Sequence, residues 1–215
     1  MKKVREIPSF VHDPSCVLYI PLWKRDGNTF ISDDAFGHLC TVTGATWGTQ
    51  GRLMDGDDYI TIPFNSALNI ATELTVIYWC KPTTIGNRCD IQNGDLSGSW
   101  ICRLGQSTEG FAIYDGTWER LSVTIPSVVA WYQIAVTYNA SKLVTYYRNA
   151  LVHTSATFTK SLPTIDAGLT IGHEQDAGFG STFFIGTFGE VSIYNRALSA
   201  QEIQQSYQST KWRYV

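Results

Sequence analysis

From Trp131 to Val152 the chain reads WYQIAVTYNASKLVTYYRNALV, an alternation of apolar and polar positions almost free of charge. Ile134, Val136 and Tyr138 fall on one face and Gln133, Ala135 and Thr137 on the other, the period of two of a β-strand. Asn139-Ala140-Ser141-Lys142 interrupts the run with turn-forming residues and Leu143 to Arg148 resumes it, so two or three consecutive strands are expected. A second break at Asn149-Ala150 occupies the place of a two-residue hairpin turn, whose central residues both need positive φ. Ala150 suits that turn less well than glycine, which leaves the register there open.

The same pattern continues on both sides. Cys16 to Trp23 is the first expected strand, with Pro21 pointing to an edge or a bulge. Lys24 to Gly37 reads as a polar loop, and Leu39 to Trp47 and Gly51 to Pro63 as short strands. Glu73 to Lys81, ELTVIYWCK, is apolar on both faces and belongs at the centre of a sandwich. Trp100 to Arg103, Gly110 to Tyr114, Trp118 to Ile125, Leu169 to Gly172 and Phe183 to Tyr194 continue the series. Ser199 to Gln208 alone carries helix chemistry: an N-cap serine, Glu202 three residues on, then Ile203 and Tyr207 at i and i+4. A dozen short strands followed by one short helix predict an all-β, two-sheet antiparallel sandwich or barrel. Residues 1–15 read as an N-terminal arm, 16–208 as one domain and 209–215 as a tail.

Composition narrows the function classes. A chain of 215 residues that is 44% hydrophobic and 13% aromatic can bury one large core. Its net charge of -3, with no basic run, argues against nucleic acid. No stretch is apolar for the roughly 18 residues of a membrane helix, and Met1 to Phe10 lacks the apolar centre of a signal peptide. Synthesis in the cytoplasm is therefore expected, with a virion or other assembly as a possible destination. Five cysteines, an odd number with no C-x-x-C spacing, fit buried thiols; Cys89 to Cys102 is the candidate bridge. Asn139-Ala140-Ser141 matches a glycosylation sequon by pattern alone.

Five segments in order, Gly51 to Pro63, Leu74 to Pro82, Trp131 to Tyr138, Leu169 to Gly172 and Gly189 to Ser199, resemble the LamG-like domains of the concanavalin A-like lectin/glucanase superfamily. The resemblance implies a jelly-roll sandwich with a concave and a convex sheet, and says less about function, because the fold hosts enzymes, lectins and protein-binding modules. It also implies a place for structural calcium, built from an acidic early loop and an Asp ahead of a late Glu-Val. Asp33 and Asp34 are the candidates on the early loop, but the late position is Gly189, so no cofactor is expected. Asp55, Asp57 and Asp58 read as turn chemistry.

Retaining glycosidases of this superfamily carry paired carboxylates on one strand, about 5 to 5.5 Å apart. That motif is absent here; Glu174 with Asp176, in a glycine-rich loop, is the nearest approach. No catalytic residue is assigned. Trp100, Arg103, Tyr114 and Trp118 lie on strands whose counterparts line the concave sheet and are the candidate ligand-binding residues, able to stack on a sugar or a partner side chain. If Trp100 faces outward, Ile101, Cys102 and Ile113 are expected inside; if it faces inward, binding moves to loops such as His173 to Gly180. The leading function is a non-catalytic recognition or adhesion module for carbohydrate or protein. A structural subunit of a viral particle comes second, and a hydrolase with carboxylates from separate strands third. Trp212 and Tyr214 in the tail predict docking on the chain's own domain or on a neighbouring subunit, so a homo-oligomer or particle assembly is open.

Overall fold

The computed structural model describes residues 13–83, 90–106, 109–124, 126, 129–174 and 182–215. Most of the arm, Cys89 and its possible bridge, and Asp176 lie outside the described residues. The early strands are β1 (Cys16–Ile20), β2 (Thr29–Ile31), β3 (Leu39–Thr43), β4 (Thr46–Gly48), β5 (Gly51–Met54) and β6 (Tyr59–Ile62). The middle of the chain forms β7 (Leu74–Pro82), β8 (Ile91–Asp95), β9 (Gly98–Gln106), β10 (Glu109–Tyr114) and β11 (Trp118–Ser122). Then come β12 (Tyr132–Tyr138), β13 (Leu143–Arg148), β14 (Leu151–Thr157), β15 (Leu169–Ile171) and β16 (Gly186–Tyr194), and the helix α1 (Ala200–Thr210).

The strands build two eight-stranded antiparallel sheets, with 49% of the chain in strands. Sheet A runs β14-β13-β12-β7-β16-β5-β4, with β1 also pairing β16; sheet B runs β11-β10-β9-β8-β15-β6-β3-β2. This is the expected jelly-roll sandwich. Between the sheets, Leu74, Val76, Tyr78 and Cys80 of β7 meet Trp100, Cys102, Phe111 and Ile113 of β9 and β10 in one core cluster. Ile134, Val136 and Tyr138 join them, so the face read from the alternation is the inward one.

The other face of sheet A is also covered, which is why β7 is apolar on both sides and why Gln133, Ala135 and Thr137 of β12 are buried. Ile203 and Leu198 pack with Ile77, Ala135, Tyr19, Tyr147 and Tyr194. The helix is held by the expected capping box, the Glu202 amide donating to Ser199 Oγ at 3.3 Å and the Ser199 amide to Glu202 Oε2 at 2.8 Å. Tyr214 completes the cover, stacked 4.5 Å from Trp79 and tilted 4.7 Å from Trp131. The tail thus docks on its own domain through Tyr214, whereas Trp212 stays 49% exposed. Gly189 explains itself here: a Cβ at that position would come within 2.4 Å of the Tyr214 ring.

Three elements depart from the sequence reading. β2 lies within the expected loop, and β8 in a stretch with a single apolar residue, Ile91; there Asn93 is buried and donates through Nδ2 to the Leu68 carbonyl at 2.9 Å. β14 runs past Val152 to Thr157. The turn before it places Asn149 at φ 52° and Ala150 at φ 63°, pairing Arg148 with Leu151. The two-residue hairpin forms even with alanine in a backbone region that L-residues occupy at a cost.

Candidate functional site

The outward face of sheet B follows from register. Trp100 pairs with Ile113 and Ser99 with Tyr114, while Ala112 sits between Ile101 and Arg120, and Tyr114 pairs with Trp118. Since Trp100, Cys102, Phe111, Ile113 and Leu121 enter the core, alternation turns Ser99, Ile101, Arg103, Ala112, Tyr114, Trp118 and Arg120 outward.

Trp100 therefore cannot anchor a surface platform: its ring is 0% exposed between the sheets. The physical reason is parity. Trp100 and Arg103 are three residues apart on one strand and must face opposite sides, so they never could share one surface. Ile101, expected inside only for an outward Trp100, lies on the outer face, while Cys102 and Ile113 enter the core with Trp100.

Tyr114 and Trp118 do come together. Both are half-buried, their rings 4.9 Å apart and tilted by 49°, and the Arg120 guanidinium lies 5.1 Å from the centre of the Trp118 ring. Arg103 belongs to a different part of the face, roughly 13 Å along the sheet at about 3.4 Å per residue from the Ser99 row that meets Tyr114. It is 4% exposed and forms an ion pair with Glu174 at 2.9 Å. Thr182 Oγ1 donates to the same carboxylate at 2.7 Å, and Thr170 Oγ1 donates to the His173 carbonyl at 2.7 Å. These contacts tie residues 170–174 and 182 to sheet B. Between the aromatic pair and the ion pair the face is closed, with Gln92, Ser99, Ile101, Ala112 and Thr170 all buried.

Beside Glu174 lies an aromatic group the sequence reading missed. His173 stacks on Phe183 at 4.3 Å and packs against Tyr59 at 5.5 Å, and all three are half-buried. Burial lowers the His173 pKa, with Glu174 opposing. Aromatic residues flanking both the acidic turn and the glycine-rich loop were the available signal. The loop site proposed for an inward Trp100 thus has described members in His173 and Glu174; its residues 175–180 lie outside the described residues.

The calcium candidates are already engaged by the protein. Asp33 is paired with Lys24 at 2.9 Å and with Arg25. Asp34 accepts from the amides of Tyr19 (2.9 Å), Phe36 (2.9 Å) and Gly37 (3.0 Å). With the Tyr214 ring against Gly189, this arrangement fits a cation poorly, since calcium needs six to eight oxygens free to turn toward it. Asp55, Asp57 and Asp58 hold their carboxylates within 4.8 Å of one another, and Asp58 caps its own turn by accepting from the Asp55 amide at 2.9 Å.

Across the molecule, on the outer face of sheet A, Glu190 is buried beside Trp23, whose indole N–H donates to Oε2 at 3.2 Å. Burial pushes the Glu190 carboxyl up to about 7, against the lowering effects of the Trp23 hydrogen bond and the Arg213 charge. Arg213 lies 3.3 Å from the Trp23 ring centre and 4.4 Å from that of Trp212.

Two antiparallel sheets packed face to face define a jelly-roll β-sandwich. The chain belongs to the concanavalin A-like lectin/glucanase superfamily, whose profile matches residues 54–204. Its structure is similar to domain 4 of AbnA, an extracellular arabinanase of Geobacillus stearothermophilus solved with arabinotriose: TM-score 0.73 and 16% identity over 88% of this chain and 97% of that one. It is also similar to the Trypanosoma rangeli sialidase (TM-score 0.65, 15% identity, 94% of this chain), of which it spans 34%. A chain from a study of ganglioside interaction in cell entry of botulinum neurotoxin type C matches at TM-score 0.66 and 13% identity over 94% of this chain and 52% of its own. At these identities the likeness is one of fold. No curated protein sequence matches the chain. Among the described residues no helix is long and apolar enough to cross a membrane.

Proposed function

We propose that this chain is a non-catalytic recognition module that binds carbohydrate at the β10–β11 end of the outer face of sheet B. The observation that carries this reading is the half-buried Tyr114 and Trp118 pair with Arg120 over the Trp118 ring. Such a pair offers an apolar surface for the C–H face of a sugar, with a guanidinium at its rim to hold hydroxyl or carboxylate oxygens. The arabinotriose complex of AbnA domain 4 and the ganglioside interaction of the neurotoxin support it as cases of sugar recognition on this fold.

The carboxylates support the non-catalytic half of the proposal. Glu174 is in the ion pair with Arg103, and Glu119 accepts from the Thr159 and Lys160 amides at 2.8 Å each. Asp90 is buried against the Tyr78 hydroxyl at 2.6 Å, and Glu190 lies on the opposite sheet. A glycosidase needs two carboxyl groups facing one sugar.

The test is a glycan array carrying arabino-oligosaccharides and ganglioside glycans, probed with the wild type and with Trp118→Ala. Retention by the wild type and its loss in the variant, with the melting temperature lowered by no more than a few degrees, is the expected result. A wild type that retains no glycan, or a variant that retains the same ones, overturns the proposal and favours a protein surface as partner. Reducing-sugar release from arabinan or laminarin, lost in Glu119→Gln, overturns the non-catalytic part.

A further inference from the structure

Strand β14 is an open edge of sheet A, bonded to β13 on one side. Six of its seven residues are exposed, Leu151 at 71% and Val152 at 61%. The Phe158 amide donates to the Lys142 carbonyl at 2.9 Å. Counting back through the paired residues, antiparallel alternation turns the N–H and C=O of Thr157 and Ser155 away from β13. Among the described residues nothing bonds these groups.

The other edges are guarded: β1 is buried throughout, with its Tyr19 N–H and C=O taken by the Asp34 carboxylate and the Asp33 amide. β2 and β4 are three residues long, and β11 carries Glu119 and Arg120, with Glu119 fastened to the 159–160 backbone. Short length and charge are the usual means of keeping an edge from pairing. The sequence of β14, LVHTSAT, has neither: no Lys, Arg, Asp or Glu and no proline.

We propose that β14 is the surface through which two copies of this chain associate, antiparallel about a twofold axis, so that sheet A of one continues into sheet A of the other. A second copy fits better than an unrelated strand because the edge is complementary to itself. Antiparallel self-pairing about Ser155 sets outward N–H against outward C=O, brings no Lys, Arg, Asp or Glu opposite one another, and places Ser155 against itself, Thr154 against Ala156 and His153 against Thr157. Seven residues are far fewer than the roughly 20 to 30 a side of a standard interface. The dimer is therefore weak and forms only at high protein concentration.

Sedimentation velocity on the full chain, from roughly 1 to 300 µM, reads this directly. The wild type is expected to move from the monomer mass toward twice that mass. Ser155→Pro removes an outward donor where an edge strand tolerates proline, and Ser155→Lys sets two ammonium groups against each other across the axis. Both are expected to weaken association by roughly tenfold or more at unchanged melting temperature. Ser122→Lys, on the β11 edge, is expected to associate like the wild type. Should the proline variant fail to fold, the lysine variant carries the test alone. A wild type that stays monomeric at the highest concentration, or position-155 variants that associate undiminished, overturns the proposal.

Discussion

Replacing Glu190 by glutamine should stabilise the protein strongly at pH 8 and by under about 1 kcal/mol at pH 5. Burial raises the carboxyl from its ordinary 4.5 to about 7. An acid with a raised pKa holds its proton better in the folded chain than in the unfolded one. Its penalty is therefore absent below about pH 4.5, grows as pH rises, and is complete above about 7. At about 1.4 kcal/mol per pH unit across that window, ionised Glu190 costs the fold on the order of 3 kcal/mol at pH 8. Glutamine keeps an oxygen to accept the Trp23 indole N–H and carries no charge to desolvate. For a chain of this size the gain corresponds to a rise in melting temperature of roughly 6 to 12 °C at pH 8. Thermal melts of both proteins at pH 5, 6.5 and 8 measure it. Equal shifts at all three values, or a loss at pH 8, would refute the reasoning, because the cost would then not come from ionisation. Asp90, raised by burial to about 7, adds a parallel decline with pH that persists in the variant. Glu202, held down at about 2 chiefly by its hydrogen bond from Arg196, works at the acid end: its contribution is present above about 4.5 and is lost as pH falls toward 2.

Three further outcomes follow from the packing. Trp100→Ala should cost about 3 to 5 kcal/mol in denaturant titrations as a core ring, whereas Trp118→Ala should cost under about 1.5. Arg103→Met leaves Glu174 buried without its cation and should cost roughly 3 to 5 kcal/mol; Glu174→Gln in the same background should recover most of it. Gly189→Ala forces the Tyr214 ring off Trp79 and should lower the melting temperature about as much as removing residues 211–215, with the two changes not adding when combined.

The period of two between Trp131 and Val152 was legible because each strand's faces differ in what they touch, core on one side and α1 on the other. The double-sided apolarity of β7 was legible for the same reason. The sequence reading grouped Trp100 with Arg103, although their spacing alone puts them on opposite faces; the sign of that parity was not available, because β9 is apolar on both faces. β8 escaped notice because Gln92 and Asn93 are buried with hydrogen bonds of their own, which hydrophobic patterning does not register. The Glu190 site was invisible for a different reason: its Trp23 partner is 167 residues away in the chain. Tyr114 and Trp118 could be found because one tight hairpin joins them, whereas Tyr59, His173 and Phe183 come together only through the pairing of β6 with β15 and the segment that follows it.

The most direct test of carbohydrate recognition on sheet B uses the seven tryptophan indole N–H signals in a two-dimensional nitrogen–proton spectrum, titrated with the glycan the array selects. The Trp118 signal should shift progressively to saturation, while those of Trp79, buried beneath Tyr214 and α1, and Trp100, buried between the sheets, stay in place. Saturable shifts at Trp47 or Trp212 with Trp118 unmoved would place recognition elsewhere and contradict the account.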